Sequence, residues 1–174
     1  MAELKSCQIV GTPYLEGKYI SVADMWPLED PGLNRIYPFY ENMKQGRWTT
    51  TKCKKCGHIS YPPGVACPNC WSDELEWVDL PKTAKVVAVN EQGAPTGFKA
   101  PLINAWLGFD KNHPLKHLFV RIINCQSGQV KVGDEVKFVS FEVDAHPMDV
   151  KKESKVCERY YYAFEPVKKK IRGV

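Results

Sequence analysis

Two short cysteine pairs, Cys53-Lys54-Lys55-Cys56 and Cys67-Pro68-Asn69-Cys70, stand ten residues apart, and no other feature limits the fold so strongly. Two sulfurs three positions apart can reach one ion from a tight turn. Two such turns at the ends of a short hairpin complete a tetrahedron. Turn formers surround them: Gly57 after the first pair, Pro62-Pro63-Gly64 midway, and Pro68 within the second. The competing pattern is two disulfides, which need an oxidising compartment. Nothing at the N-terminus looks like a secretion signal, so a cytoplasmic chain with one bound ion is expected. Tetrahedral sulfur suits zinc, the expected metal, and also iron, the alternative. Four protein ligands leave no open position, so the ion would hold structure and do no chemistry. Cys7, Cys125 and Cys157 are scattered and read as free buried thiols.

The 174 residues fit one ordinary domain and a small one. Hydrophobic residues make up 44%, enough for one modest core, and no apolar run approaches the length of a membrane span. The formal charge of +4 is too mild to demand a nucleic-acid partner. Much of it comes from Lys168-Lys169-Lys170-Ile171-Arg172, which reads as a solvated basic tail.

Along the chain, residues 1–33 form an N-terminal extension, broken up by Gly11, Pro13, Gly17, Pro27, Pro31 and Gly32. A short helix is expected within 34–46, with Pro38 in its first turn and Gly46 as its C-terminal cap. A ribbon follows over 47–80, its outer strands at 48–51 and 75–78 rich in Thr, Val and aromatic residues. Residues 81–167 carry five strand signals, at 83–89, 102–109, 118–123, 135–143 and 160–164, with 145–157 separating the last two. Residues 168–174 are the tail. Five strands without a long helix between them predict a small closed or half-closed antiparallel barrel, most commonly an OB-fold. The fold class is therefore mainly β: a short N-terminal helix, a rubredoxin-like metal ribbon, then a five-stranded OB-fold barrel.

That order of parts resembles the acyl-CoA-associated family of proteins that join a rubredoxin-like zinc ribbon to an OB-fold, long described as a domain of unknown function. The resemblance covers residues 37–167. It is carried by Phe39-Tyr40-Glu41-Asn42-Met43-Lys44-Gln45-Gly46, by Cys53-Lys54-Lys55-Cys56-Gly57, by Tyr61-Pro62-Pro63 and the second cysteine pair, by Glu76-Trp77, and by Gly133-Asp134-Glu135-Val136. The chain departs from the family at Trp71, where glycine usually follows the second pair. That position often takes positive φ, which costs a bulky side chain, so a distorted second turn is expected. The N-terminal extension also exceeds the family's compact pattern.

The resemblance implies an accessory subunit that travels with a thiolase-like enzyme, with 3-hydroxy-3-methylglutaryl-CoA synthase, or with an enoyl-CoA hydratase. The partner would carry the catalytic groups, and the CoA thioester would be contacted at the interface of a hetero-oligomer. The chain itself shows no phosphate-cradling glycine loop and no nucleophile elbow, and His58, His113, His117 and His146 are dispersed, so no activity of its own is expected. Phe39, Tyr40, Met43 and Trp48 are the expected partner anchors. Gly97, Phe98 and Lys99 in the 92–101 loop would meet CoA. The alternative is a single-stranded nucleic-acid binder. Such OB-folds interleave aromatic and basic residues on their second and third strands, and here those strands hold one basic residue, Arg121. Trp106, Phe109 and Phe119 on these strands are expected to fill core or interface.

Overall fold

The computed structural model describes the backbone of residues 35–95, 100–150 and 153–167, and within these the side chains up to 142 and from 160. In chain order the elements are α1 (Tyr37–Lys44), β1 (Thr49–Cys53), β2 (Ile59–Ser60), β3 (Leu75–Asp79), β4 (Thr83–Gln92), β5 (Leu102–Gly108), β6 (His117–Arg121), β7 (Glu135–Val150) and β8 (Glu153–Pro166). The described residues fall into two compact units. One holds α1, the ribbon up to Leu80, and Ser140–Tyr162; the other holds Pro81–Val139 and the chain from Ala163. Residues 1–34 and 168–174, the expected extension and tail, lie outside the described residues.

In the first unit, α1 is eight residues long, too short to persist unaided. Pro38 sits in its first turn, where a missing N–H costs nothing. Gly46 follows it with φ 70. Phe39 and Met43, one turn apart, are buried on the same face with Asn42. Three polar contacts tie the helix end to the ribbon. The Asn42 Nδ2 group donates to Thr49 Oγ1 at 3.1 Å, Arg47 Nη1 donates to Asn42 Oδ1 at 3.0 Å, and the Arg47 fork grips the Asp79 carboxylate at 3.1 and 2.9 Å. The ribbon sheet has the order β2-β1-β3. Its central strand buries three consecutive threonines, Thr49, Thr50 and Thr51. Their β-branched stems favour extended backbone, and their hydroxyls are satisfied: Thr50 donates to the Ser60 carbonyl, and Thr51 Oγ1 accepts from Gly64 N at 3.1 Å.

The second sheet has the order β6-β5-β4-β7-β8, and the second unit holds β4, β5, β6, the start of β7 and the end of β8. The pairs β4–β5, β5–β6 and β4–β7 are antiparallel. Just past β6, Ile122 bridges Phe164 of β8 in parallel, and the Ile123 N–H donates to the Phe164 carbonyl at 2.8 Å. A three-strand meander, a fourth strand on its first, and a fifth returning in parallel to its third is the connectivity of the five-stranded Greek-key barrel, the OB-fold. The bridge half-closes the curl. Val86, Leu107, Ile123, Val136 and Phe164 are at most 2% exposed and form its core, with Phe138 set edge-on to Phe164. His113 seals one margin. Its ring stacks on Phe109 at 4.1 Å, Nδ1 accepts from Leu115 N at 2.9 Å, and Nε2 lies 3.2 Å from the Pro81 carbonyl.

Two details differ from the sequence reading and a third narrows it. The strand β2, two residues long, carries no periodicity to read. The segment 145–157, expected to separate the last two strands, is largely strand, because β7 and β8 pair through backbone and need no apolar alternation. Of the two places expected for Trp106 and Phe119, core or interface, the core is ruled out: they are 45% and 56% exposed on the sheet's outer face.

Candidate metal centre

The four cysteine sulfurs Cys53, Cys56, Cys67 and Cys70 all lie within 4.8 Å of one another. Cys53 and Cys67 are 1% exposed, Cys56 is exposed, and Cys70 is half-buried. The Sγ separations are 3.6 Å for Cys53–Cys70 and 3.5 Å for Cys56–Cys67. A tetrahedral ion with metal–sulfur bonds of about 2.3 Å spaces its ligands about 3.8 Å apart. The spacing fits such an ion, and it exceeds the ~2.05 Å of a disulfide.

Each pair of cysteines sits in the same local fold. In the first turn Gly57 N donates to the Cys53 carbonyl at 2.9 Å and Cys53 N donates to the His58 carbonyl at 2.8 Å. In the second, Trp71 N donates to the Cys67 carbonyl at 2.9 Å and Cys67 N to the Ser72 carbonyl at 2.8 Å. The turns superpose bond for bond, so the expected distortion at Trp71 is absent: the residue instead adopts φ 59, close to the 73 of Gly57, with its ring 83% exposed. Such backbone is costly for a bulky residue, and the matching pairs of backbone bonds hold it there.

The turns also aim N–H groups at sulfur. The backbone N–H of His58 and then the side chain of Asn69, whose Nδ2 lies 3.6 Å from Cys56 Sγ, pull the Cys56 thiol down to about 6. Cys70 receives the Ser72 backbone N–H, which lowers it, yet burial and the neighbouring sulfurs push it up to about 12. Four sulfurs this close cannot all ionise without a cation among them. The donor set is all sulfur and closed, and it offers an ion structure rather than reactivity.

Beside the ribbon sheet, Trp48 is fully enclosed. Its ring meets Tyr61 edge-on at 5.8 Å, and Nε1 donates to Tyr61 Oη at 3.3 Å. Tyr61 in turn hydrogen-bonds Tyr162. Burial raises both phenols, Tyr61 well above the usual tyrosine range. Of the four expected anchors, Trp48, Met43 and Phe39 are thus buried within their own chain, Phe39 against Tyr40 and Tyr162. Tyr40 is half-buried. Gly97, Phe98 and Lys99 lie outside the described residues. Sequence reasoning did not single out Tyr61 as Trp48's partner, although its place before Pro62-Pro63 marked the segment.

Residues 43–76 match the family model described as ChsH2, rubredoxin-like zinc ribbon domain, which bears out the resemblance read from the sequence. The chain is 31% identical over 62 residues to the benzoylsuccinyl-CoA thiolase subunit BbsA of Thauera aromatica, covering 35% of this chain and 43% of that subunit. It is 26% identical over 95 residues to a DUF35 domain-containing scaffold protein of Methanothermobacter thermautotrophicus, covering 52% of this chain and 69% of the relative. The chain thus spans less than half the length of the thiolase subunit it matches. Among solved structures, the Ltp2-ChsH2(DUF35) aldolase shares the fold, with a TM-score of 0.58 at 21% identity over 79% of this chain and 98% of that one. No helix among the described residues is long and apolar enough to cross a membrane.

Proposed function

We propose, from the premise that this chain carries a ChsH2-type ribbon on an OB-fold, that it is a non-catalytic accessory subunit of an acyl-CoA-processing enzyme, most simply a thiolase-type one. The observation that carries this reading is the 62-residue match to a benzoylsuccinyl-CoA thiolase subunit, in a chain whose described residues bring four cysteines together as a closed four-sulfur site. In this reading Cys53, Cys56, Cys67 and Cys70 hold one structural zinc ion, with iron as the alternative. The partner supplies the nucleophile and the base. The subunit works in the cytoplasm, completing the partner's acyl-CoA site and holding the complex together.

Co-expression with the thiolase-type subunit encoded in the same genome tests this. The two should co-purify with one zinc per chain and turn over an acyl-CoA, and this chain alone should not. Separate elution at micromolar concentration, or thiolysis by this chain alone, would overturn the reading. A red preparation would replace zinc by iron.

A further inference from the structure

The second unit presents an apolar patch on its outer sheet face, and the backbone is shaped to make it continuous. In the register of β4 against β5, Val86 opposes Leu107 and Ala88 opposes Trp106, so Val87 is an extra, bulged residue. A bulge re-aims side chains. Here it puts both Val87 and Ala88 on the exposed face. On β5 and β6, Trp106 stands opposite Phe119 and Gly108 opposite His117. Trp106 lies 6.1 Å from the rings of both Phe119 and His117. A Cβ added to Gly108 would meet Val87 Cγ2 at 2.9 Å, so the missing side chain is what lets Val87 lie across β5 and join the rings. Val87, Trp106 and Phe119, each about half exposed, are three of the six exposed large hydrophobic residues described.

We infer that this face, centred on Trp106 and Phe119, is where the acyl-CoA enzyme subunit docks, through an apolar patch with an acidic rim. The inference rests on the function proposed above. Charge selects the occupant. The segments 83–90, 102–108 and 117–121 contain Lys85 and Arg121 and no carboxylate, and Lys116 borders β6; one exposed carboxylate, Glu135 of β7, stands opposite Lys85, so the face stays net basic. A second copy of this chain would bring like charges together, which disfavours self-pairing. Single-stranded nucleic acid stacks its bases on rings along a positively charged groove that tracks its backbone, and β5 and β6 supply one basic residue between them, Arg121. The rings of Trp106, Phe119 and His117 cluster at 6.1 Å, tilted by 30° and 42°, as one apolar patch. Trp at the centre of an apolar patch with a polar rim is the composition of an interface hot spot.

The test uses the full zinc-loaded chain and the thiolase-type subunit from the same genome. Trp106→Ser with Phe119→Ser should weaken binding at least tenfold while thermal midpoint and zinc content hold. Lys85→Glu should weaken it less, with the loss fading at high salt. In the wild-type complex, backbone amides of 104–108 and 117–121 should gain protection from hydrogen exchange. If the complex forms but neither the double variant nor those amides respond, the docking face is elsewhere and the accessory-subunit reading survives. If wild-type chain and subunit do not associate, both fail. If the double variant abolishes a homodimer seen by sedimentation, or binding of a labelled oligo-dT, the occupant is wrong and the inference falls.

Discussion

Trp71 occupies in the second cysteine turn the left-handed backbone that Gly57 occupies in the first, with φ 59 against 73. The two turns make the same backbone bonds, so the same geometry is imposed on residues of opposite tolerance. Left-handed backbone costs a non-glycine residue about 1–2 kcal/mol, and a ring 83% exposed returns little of that by packing. Trp71→Gly is therefore expected to stabilise the ribbon by about 1 kcal/mol, and Gly57→Ala to destabilise it by a similar amount. Chelator competition, read as the rate of metal loss, should show the two changes moving in opposite directions.

The sulfur cluster should ionise unevenly when metal-free. Cys56 is held near 6 by the His58 N–H and Asn69, and Cys70 is pushed to about 12. Alkylation of the metal-free chain should therefore reach Cys56 well before Cys70, with its rate half-maximal near pH 6, as read by mass spectrometry of the labelled peptides. The sign follows from linkage. A thiol whose folded value is depressed contributes stability above its unfolded value of about 8.5, and that contribution is lost as pH falls through the folded value. The metal-free ribbon should loosen between pH 8.5 and pH 6, and metal affinity should fall over the same window as protons compete for sulfur.

Most of this architecture could be read before any coordinates, and for definite reasons. The cysteine spacing is local and chemical, so the ribbon was legible. Pro38 and Gly46 bracket a helix that ends within a residue of where they place it. The strands 83–89 and 102–109 were found because Val, Ile and Leu mark them, and β4 and β5 agree with them within a few residues. What was not legible depends on partners distant in sequence. The outward aim of Trp106 and Phe119 follows from register and from one bulge. The enclosure of Trp48 follows from Tyr61, a residue thirteen positions on. An aromatic residue in a strand reads the same whether it points in or out, and only the pairing decides.

Asn42 links helix to ribbon through both ends of its amide, donating to Thr49 and accepting from Arg47. Asn42→Ala leaves the buried Thr49 hydroxyl without that partner and releases one arm of Arg47. A loss of about 1–3 kcal/mol is expected, measurable as a lower urea midpoint at unchanged slope. Asn42→Asp keeps the acceptor for Arg47 but removes the donor to Thr49, and should fall between the two.

The phenols of Tyr61 and Tyr162 are raised mainly by burial. A group whose folded value lies above its unfolded one stabilises the fold below the unfolded value, and that stability is lost as pH rises past it. Above about pH 10 the first unit should therefore lose stability as pH rises, with Tyr61 and Tyr162 ionising later than exposed tyrosines. Tyrosinate absorbance would then show a late step, accompanied by a change in Trp48's buried fluorescence, and Tyr61→Phe should reduce its amplitude.

The bulge at Val87 has an evolutionary side. Because Val86 and Ala88 oppose neighbouring residues of β5, deleting Val87 would leave a regular strand in which every other residue keeps the face it already has. The patch's aliphatic edge can thus be inserted or excised by one codon without shifting the core, so related chains could gain or lose this part of a docking surface in a single step while the barrel beneath stays the same.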